Sequence, residues 1–388
     1  MSWEYLISNS FLKTNNSLVR ISKILSLFGM AVGCFSLVIA LAVMNGFESL
    51  VKNKLIGFEG DLRISGHFNP KDILKIDGIE KIVSFMQRRG VVETKDEFSI
   101  VTFKAVNLNE FKQFYDIPLR GNSPKDGQVL IGQDLAIRLN LEIGDSILLY
   151  SPIDQNFGFG LQKKKKMLIS GIFFSKVLDY DNKFVFMTIE DGLNLFKRKQ
   201  DKLNADIRIA LNKDIHIIKE ELKSLLDSGI LVQAWYDLNE SLVNAMRMEK
   251  LGTIIVLSLI FVVAAFNLAM TLSLNSIQNL KEIGLLKTIG ASKIVIRKII
   301  IIMGFKLAGI GALYGITIAI GVVSLQNKFG FIPIPSEIYF LDSLPMYIDI
   351  FNILLIILLS IIFIFVASFL SGEKISKISI TKALQWTK

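Results

Sequence analysis

Four long apolar stretches restrict this chain to membrane-spanning architectures. A helix needs about 20 mostly apolar residues to cross the hydrocarbon core of a bilayer. No charged residue interrupts the first, second or last stretch, and between Ile299 and Asn327 the only charge is Lys306. The sequence therefore predicts four transmembrane helices, at residues 24–47, 251–278, 294–325 and 350–372.

The basic residues next to these spans predict their orientation. Lys and Arg are concentrated in the tail 1–23, in the hairpin 279–293 and in the tail 373–388, whereas the loop 326–349 holds only Lys328. Because such residues favour the cytoplasmic side, both tails and the hairpin are expected in the cytoplasm. The net charge of +9 is then a property of these segments and does not indicate nucleic-acid binding.

The segment 48–250 is long enough to bury a core of its own on the other side of the membrane. "GDLRIS", "FSIVTFKAV", "DSILLYSP", "KKMLISGIFF", "NKFVFMTI" and "ADIRIAL" have the composition of strands. "NPKDILKIDGIEKIV", "GQDLAIRLN" and "HIIKEELKSLLDSG" are typical of helices. The predicted fold class is a membrane protein with four transmembrane helices and a large α+β domain between helices 1 and 2, whose last part, "YDLNESLVNAMRMEK", forms a helical stalk.

The hairpin between the second and third spans is short, basic and half apolar. Ile283, Leu286 and Ile289 are spaced three apart and are predicted to share one helix face. Gly290 can end this helix in the left-handed conformation, and Ser292 can cap the next one. The pattern fits an interfacial helix resting on acidic lipid and equally a docking helix that transmits a cytoplasmic motion to the spans.

Several stretches together resemble the MacB/FtsX-type ABC transporter permeases, and within them the lipoprotein-releasing LolC/LolE type. They include "ISKILSLFGMAVGCFSLVIALAVMNGFE", "QVLIGQDLAIRLNLEIGDSILLYSP", "GIFFSKVLDYDNKFVFM", "VVAAFNLAMTLSLNSIQNLKEIGLLKTIGAS" and "FLDSLP". The C-terminal "ISKISITKALQWTK" departs from the family by keeping only "AL" of its usual ending. The likeness covers nearly the whole chain and implies an inner-membrane protein whose large domain is periplasmic.

The resemblance also implies a mechanism and a set of partners. The coupling helix that docks on the ATPase would comprise Lys281, Glu282, Ile283, Gly284, Leu285, Leu286, Lys287, Thr288, Ile289, Gly290, Ala291 and Ser292. The chain has no GxxxxGK[ST] phosphate loop, so ATP and Mg²⁺ are expected in a separate LolD-like ATPase dimer and no cofactor in this chain. The other implied partners are a second permease subunit (identical or a sister chain), a lipoprotein substrate, a LolA-like periplasmic carrier and membrane lipids.

Two polar residues and one glycine pair stand out within the spans. Lys306 lies about seven residues into its span, where it can snorkel to the headgroups or act inside the bundle. Asn267 is expected to form a helix–helix hydrogen bond rather than a substrate contact. Gly311 and Gly315 form a GxxxG pattern, a weak signal that permits close helix approach.

The loop "SPIDQNFGFGLQKKKK", residues 151–166, combines aromatic, glycine and basic residues. It can be a solvated hairpin tip. In the resemblance it falls where LolC-type subunits carry a hook that recruits the carrier, although the hook motif itself is not recognisable. The candidate carrier-binding residues are Phe157, Phe159, Lys163, Lys164, Lys165 and Lys166.

Three other functions compete with lipoprotein release. A MacB-like efflux permease usually has its ATPase fused in front of the first span, and an FtsX-like regulator has a much smaller outer domain than the roughly 200 residues expected here. A membrane-anchored enzyme is the third. The single cysteine, Cys34, two scattered histidines and the lack of a recognisable catalytic motif argue against it.

Overall fold

A computed structural model shows how the chain folds. It describes residues 3–13, 17–66, 68–95, 97–115, 117–152, 164–175, 178–196, 204–210, 212–226, 229–334 and 343–379. The chain divides into two compact units, which we call the bundle unit (Met1–Ser49 with Asn244–Lys388) and the sheet unit (Leu50–Val243).

Four helices of the bundle unit are long and apolar enough to cross a membrane, as predicted. They are α2 (Ser17–Glu59), α10 (Glu240–Gln278), α12 with α13 (Lys293–Gly304 and Ile310–Phe329) and α14 (Ile350–Ser376), joined in the unit by α1 (Trp3–Leu12) and α11 (Leu280–Thr288). The helices are longer than the apolar stretches, and the residues that they add at their ends are largely polar. At 1.5 Å per residue, the 43 residues of α2 measure about 65 Å, roughly twice the hydrocarbon thickness.

The third span contains a single π-helical turn. It covers Phe305–Gly309 and joins α12 to α13 without breaking the helix. Such single turns inside α-helices are frequent at functional sites. Lys306 lies within this turn, so the one charge in the run from Ile299 to Asn327 coincides with its backbone irregularity.

The GxxxG pair of the third span packs against the first span. A Cβ atom at Gly311 would overlap the carbonyl of Leu27, and one at Gly315 would overlap the carbonyl of Ala31. The absence of side chains at these two positions therefore lets the two helix backbones touch. The GxxxG pattern in the sequence allows this close approach.

The sheet unit contains ten strands among its described residues. They are β1 (Leu62–Ser65), β2 (Ile79–Glu93), β3 (Phe98–Val106), β4 (Leu119–Gly121), β5 (Gln128–Gly132), β6 (Ser146–Tyr150), β7 (Lys165–Phe173), β8 (Phe184–Thr188), β9 (Asn204–Ile209) and β10 (Leu231–Ala234). The strand order is β10-β1-β9-β2-β3-β8-β5-β7-β4, and β6 pairs with both β2 and β7. The pairing of β6 closes a ring of six strands, β2-β3-β8-β5-β7-β6, around an apolar core that includes Val92, Phe103 and Ile131.

Short helices accompany the strands and make the unit α+β, as predicted. They are α3 (Pro70–Ile73), α4 (Leu108–Phe114), α5 (Gln133–Arg138), α6 (Leu178–Lys183), α7 (Ile189–Phe196), α8 (Ile215–Leu225) and α9 (Trp235–Leu238). The helix predicted over 69–83 is wrong beyond Ile73. Gly78, at φ 99°, turns the chain there, and the β-branched residues that follow enter β2.

Candidate functional site

The hairpin between the second and third spans has the predicted local structure. Helix α11 ends at Thr288, and Gly290 follows with a φ of 103°. The Ser292 hydroxyl then accepts a hydrogen bond from the backbone N–H of Val295 and caps α12. The two turns reverse the chain within a few residues, so α11 is held between two spans.

The two faces of α11 differ in burial. Leu280, Ile283 and Gly284 are buried in the bundle, whereas Leu285 is 57% exposed. Ile289 is 77% exposed and Leu286 is half-buried, so the three residues predicted to share one face differ in burial. Ile289 caps α11, and its backbone N–H still donates to the Leu285 carbonyl at 3.1 Å. Six residues along a helix with 3.6 residues per turn, it lies on a different side from Ile283.

The exposed part of the hairpin combines charges with large apolar side chains. We call it the hairpin surface; its members are Lys281, Glu282, Leu285, Thr288, Ile289, Ser292 and Ile294. Ile294 is 66% exposed. The hairpin surface lies next to spans that already have long apolar faces for lipid. Its mixed composition is typical of a protein contact with a partly polar rim.

Lys287 has a different role from the hairpin surface. Its Nζ donates hydrogen bonds to the carbonyl oxygens of Ser376 (2.9 Å) and Ile378 (2.6 Å), at the C-terminal end of α14. Those carbonyls have no partner inside the helix, and a cation there also favours the helix dipole. Lys287 therefore ties the hairpin to the end of the last span.

Replacing Lys287 by methionine should loosen this connection while leaving the apolar stem in place. We expect amide hydrogen exchange at 374–378 to rise about tenfold, because two charge-assisted hydrogen bonds are lost. Hydrogen–deuterium exchange mass spectrometry of the full chain measures this. Lys281→Met, on the exposed side of α11, is the control and should leave exchange at 374–378 unchanged; equal exchange in both variants would contradict the role.

Lys306 contacts the N-terminal helix α1. Its Nζ donates to the carbonyl of Tyr5 (3.0 Å) and to the Ser8 hydroxyl (2.8 Å), and it lies 3.3 Å from the centre of the Tyr5 ring. Lys298 forms an ion pair with Glu4 at 3.1 Å. These contacts hold α1 against the third span.

Thr271 in the second span forms an interhelical hydrogen bond. Its hydroxyl oxygen lies 2.6 Å from that of Ser22, and it contacts the Ser22 carbonyl at 3.1 Å. Asn267, the expected residue, supplies its carbonyl to Thr271. Sequence reasoning overlooked Thr271 because a threonine in an apolar run is common and its partner is 249 residues away.

The other end of the bundle has its own polar cluster, which we call the MNGF cluster. Asn45 donates to the carbonyl of Tyr347 (3.4 Å) and accepts from Lys250 Nζ (2.9 Å). A Cβ at Gly46 would overlap the carbonyl of Pro345. "MNGF" and the end of "FLDSLP", two stretches quoted above for the resemblance, therefore meet here; residues 340–342 of the second lie outside the described residues.

Replacing Gly46 by alanine should separate these two segments. A single methyl group must displace the Pro345 backbone, and such overpacking costs about 1–3 kcal/mol. We expect the melting temperature of the full chain in detergent to fall by several degrees, measured by differential scanning fluorimetry. Gly57→Ala, in the same helix with open space at the Cβ position, is the matched control. A Gly46 variant as stable as that control would disprove the close contact.

The described part of the 151–166 loop is paired and partly in a strand. Lys164 forms an ion pair with Glu93 (2.6 Å), Lys165 forms one with Asp191 (2.5 Å), and Lys166 is exposed on β7. Phe157, Phe159 and Lys163 lie outside the described residues. Lys164 precedes β7, and Lys165 and Lys166 are its first two residues.

A charged cluster that the sequence analysis did not find lies in the core of the sheet unit. The side chains of Lys104 and Asp206 are fully buried and 2.7 Å apart, and Arg63 binds the same carboxylate at 2.7 Å. Burial lowers the pKa of Lys104, and the Asp206 charge opposes this effect. We call these three residues the buried ion cluster.

Two family models together match most of the chain. The model described as "MacB-like periplasmic core domain" matches residues 24–225, just over half of it. The chain belongs to the MacB/FtsX-like permeases. The model "FtsX-like permease C-terminal" matches residues 254–380, which contain the hairpin and the last two spans.

Individual relatives match along almost the full length. The lipoprotein-releasing system transmembrane protein LolC of Buchnera aphidicola (Schizaphis graminum) is 27% identical, with 89% of this chain and 88% of the relative covered. LolC of Neisseria meningitidis serogroup B is 24% identical, with 96% of each covered. LolE of Haemophilus influenzae is 21% identical, with 99% and 98% covered. This ABC transporter permease thus resembles both LolC and LolE proteins.

Proposed function

We propose that this permease extracts lipoproteins from the inner membrane and hands them to a LolA-like periplasmic carrier. The observation that carries the proposal is the near full-length similarity to proteins named as parts of lipoprotein-releasing systems. The same names favour release over MacB-like efflux or FtsX-like regulation.

The orientation in the membrane is part of this proposal. Both tails and the hairpin are cytoplasmic and the sheet unit is periplasmic. Support comes from the basic residues beside the spans and from the bundle unit, in which Asn279 lies 3.5 Å from the Phe11 carbonyl and Lys287 binds the end of α14. The N-terminal helix, the hairpin and the end of the last span are therefore neighbours, as a shared side requires.

The energy comes from a separate LolD-like ATPase dimer that binds ATP and Mg²⁺ and docks on the hairpin surface. Leu285, Ile289 and Ile294 supply the apolar centre of this contact. Closure of the ATPase dimer moves the hairpin, and the spans transmit that movement to the periplasmic side. A second permease subunit completes the transporter, and the lipid-modified end of the substrate enters between the spans of the two subunits.

The test is reconstitution with a LolD-like ATPase from the same organism. The complex is purified in mild detergent, its intact mass is measured, and release of a fluorescent triacylated lipoprotein from proteoliposomes to a soluble carrier is followed on adding ATP and Mg²⁺. We expect a bound ATPase dimer, a bound lipoprotein and ATP-dependent release. The intact mass also distinguishes two identical permease subunits from two different ones.

Two results would overturn the proposal in different ways. Recovery of the ATPase with no bound or released lipoprotein would leave an ABC permease for another substrate. Recovery of no ATPase in repeated mild preparations would contradict the docking of the hairpin surface.

A further inference from the structure

The two helices that enter the sheet unit are attached to it differently. Helix α2 contributes its residues 50–59 to this unit, and helix α10 contributes residues 240–243. The attachment of α2 is buried in the apolar core, whereas that of α10 is mostly exposed. This difference bears on how movement enters the sheet unit.

Phe58 fixes the end of α2. Its ring is 1% exposed and stacks on Tyr180 with a centroid distance of 3.9 Å. The Phe184 ring meets it edge-on at 4.9 Å, and Phe173, Phe186 and Tyr115 surround it at 5.6–6.3 Å. Leu55, one turn earlier, is 5% exposed in the same core. One side of the last two turns of α2 is thus buried in the core of the sheet unit.

Charge and backbone geometry strengthen this attachment. The Nζ of Lys104, a member of the buried ion cluster, lies 5.4 Å from the Phe58 ring centre. Gly60 ends α2 at a φ of 80°, where a Cβ atom would approach the Ile207 carbonyl to 2.8 Å. The chain passes directly from α2 into β1, between two paired strands. A rotation or shift of α2 therefore cannot occur without moving the sheet.

The attachment of α10 lacks comparable burial. Of its residues 240–243, all described, Glu240, Ser241 and Leu242 are exposed and Val243 is half-buried. Leu242 is 42% exposed. The Asn239 side chain that precedes α10 donates to Glu59 and to the Trp235 carbonyl, both at 3.0 Å; these half-buried contacts are polar and add no apolar burial to α10. A helix end of this kind can turn relative to the sheet at low cost.

We propose that α2 drives the sheet unit and that α10 is a tether, with Phe58 as the residue that positions α2 in the sheet core. Movement of the first span then passes through α2 into β1 and its neighbours. The inference deepens the proposed function and depends on it for the source of the movement. It names one of the two connecting helices as the transmitter.

The test inserts the same flexible tripeptide, Gly-Gly-Ser, at matched points of the two helices. One insertion lies between Ser49 and Leu50 in α2, and the other between Val243 and Asn244 in α10. Full-chain complexes carrying each insertion are compared for ATP-dependent lipoprotein release. The second readout is the distance between two spin labels and its change on nucleotide binding. The labels are attached at Ile137→Cys and Phe331→Cys, in a Cys34→Ala background. Both labelled side chains are at least 67% exposed.

We expect the α2 insertion to lower release at least tenfold and to abolish the nucleotide-dependent distance change. The α10 insertion should lower release less than twofold and preserve that change. ATPase co-purification should be equal in both. Equal losses, or a larger loss from the α10 insertion, would overturn the inference. An uninserted complex that shows the distance change but releases no lipoprotein would instead contradict the proposed function, and the comparison of distances would still test the inference.

A point variant tests the inference without the risk that an insertion misfolds the chain. Phe58→Leu keeps an apolar side chain but loses the ring stacking, and Leu242→Ala is its control on α10. We expect a smaller nucleotide-dependent distance change in the Phe58 variant only, with an unchanged protease-resistant sheet unit in both. A full distance change in a folded Phe58 variant would remove this residue from the inference.

Discussion

Replacing Leu285 and Ile289 together by aspartate should remove the ATPase from the purified complex. Burying one such side chain contributes about 1.5–3 kcal/mol, and 1.4 kcal/mol corresponds to a tenfold change in affinity. Losing both contacts therefore weakens binding by about a hundredfold or more, before any penalty for burying the new charges. Titration of labelled ATPase against the detergent-solubilised permease gives the dissociation constants directly.

The control for this variant has equally exposed side chains in the sheet unit. Ile137 is 70% exposed and Ile217 is 68% exposed, and neither belongs to the hairpin. Changing both to aspartate should leave ATPase affinity within twofold of the unmodified chain. If the hairpin variant also kept its affinity, the ATPase would have to bind elsewhere, and the interfacial-helix interpretation of the hairpin would gain support.

The spans and the turns of the hairpin could be predicted because local physics determines them. A run of about 20 apolar residues specifies a membrane helix without reference to the rest of the chain. Gly290 and Ser292 act on the backbone next to them. The same local reasoning did not give the length of α2, because the polar residues after Phe47 are compatible with either a loop or a helix.

The sheet unit was less predictable because its strands depend on distant partners. The helical pattern at 69–83 was a misleading local signal, and the long strand β2 is stabilised instead by β3, β6 and β9. The buried ion cluster depends on contacts across 102 and 143 residues. A lysine in "FSIVTFKAV" looks like a solvent-facing residue of an alternating strand until its partner strand is known.

Replacing Asp206 by asparagine should lower the free energy of unfolding of the sheet unit. We expect a larger loss than from the same kind of replacement in any other ion pair described above. The side-chain shape is nearly kept, but Lys104 and Arg63 lose the buried carboxylate that both of them bind. Removing one partner of a buried pair costs about 3–5 kcal/mol. Urea unfolding of the full chain in detergent measures the loss through the fluorescence of Trp235, with Trp3 and Trp386 changed to phenylalanine.

Asp77→Asn is the matched control for this variant. It removes the carboxylate of a surface ion pair with Lys213, whose atoms lie 2.5 Å apart in solvent. Because surface pairs are screened and contribute little, its unfolding midpoint should match that of the unmodified chain. Equal midpoints for the Asp77 and Asp206 variants would mean that water reaches the buried ion cluster.

A double variant separates the role of charge from that of packing. Adding Lys104→Met to Asp206→Asn removes one of the two stranded cations and keeps most of the side-chain volume beside Phe58. If unpaired charge causes the loss, the double variant should recover part of the stability lost by Asp206→Asn alone. If packing causes it, the double variant should recover no stability, because methionine adds a second side chain that fits less well than the native one. Recovery would show that the buried ion cluster stabilises the region around the end of α2 through its charges, whereas no recovery would show that it does so through side-chain packing.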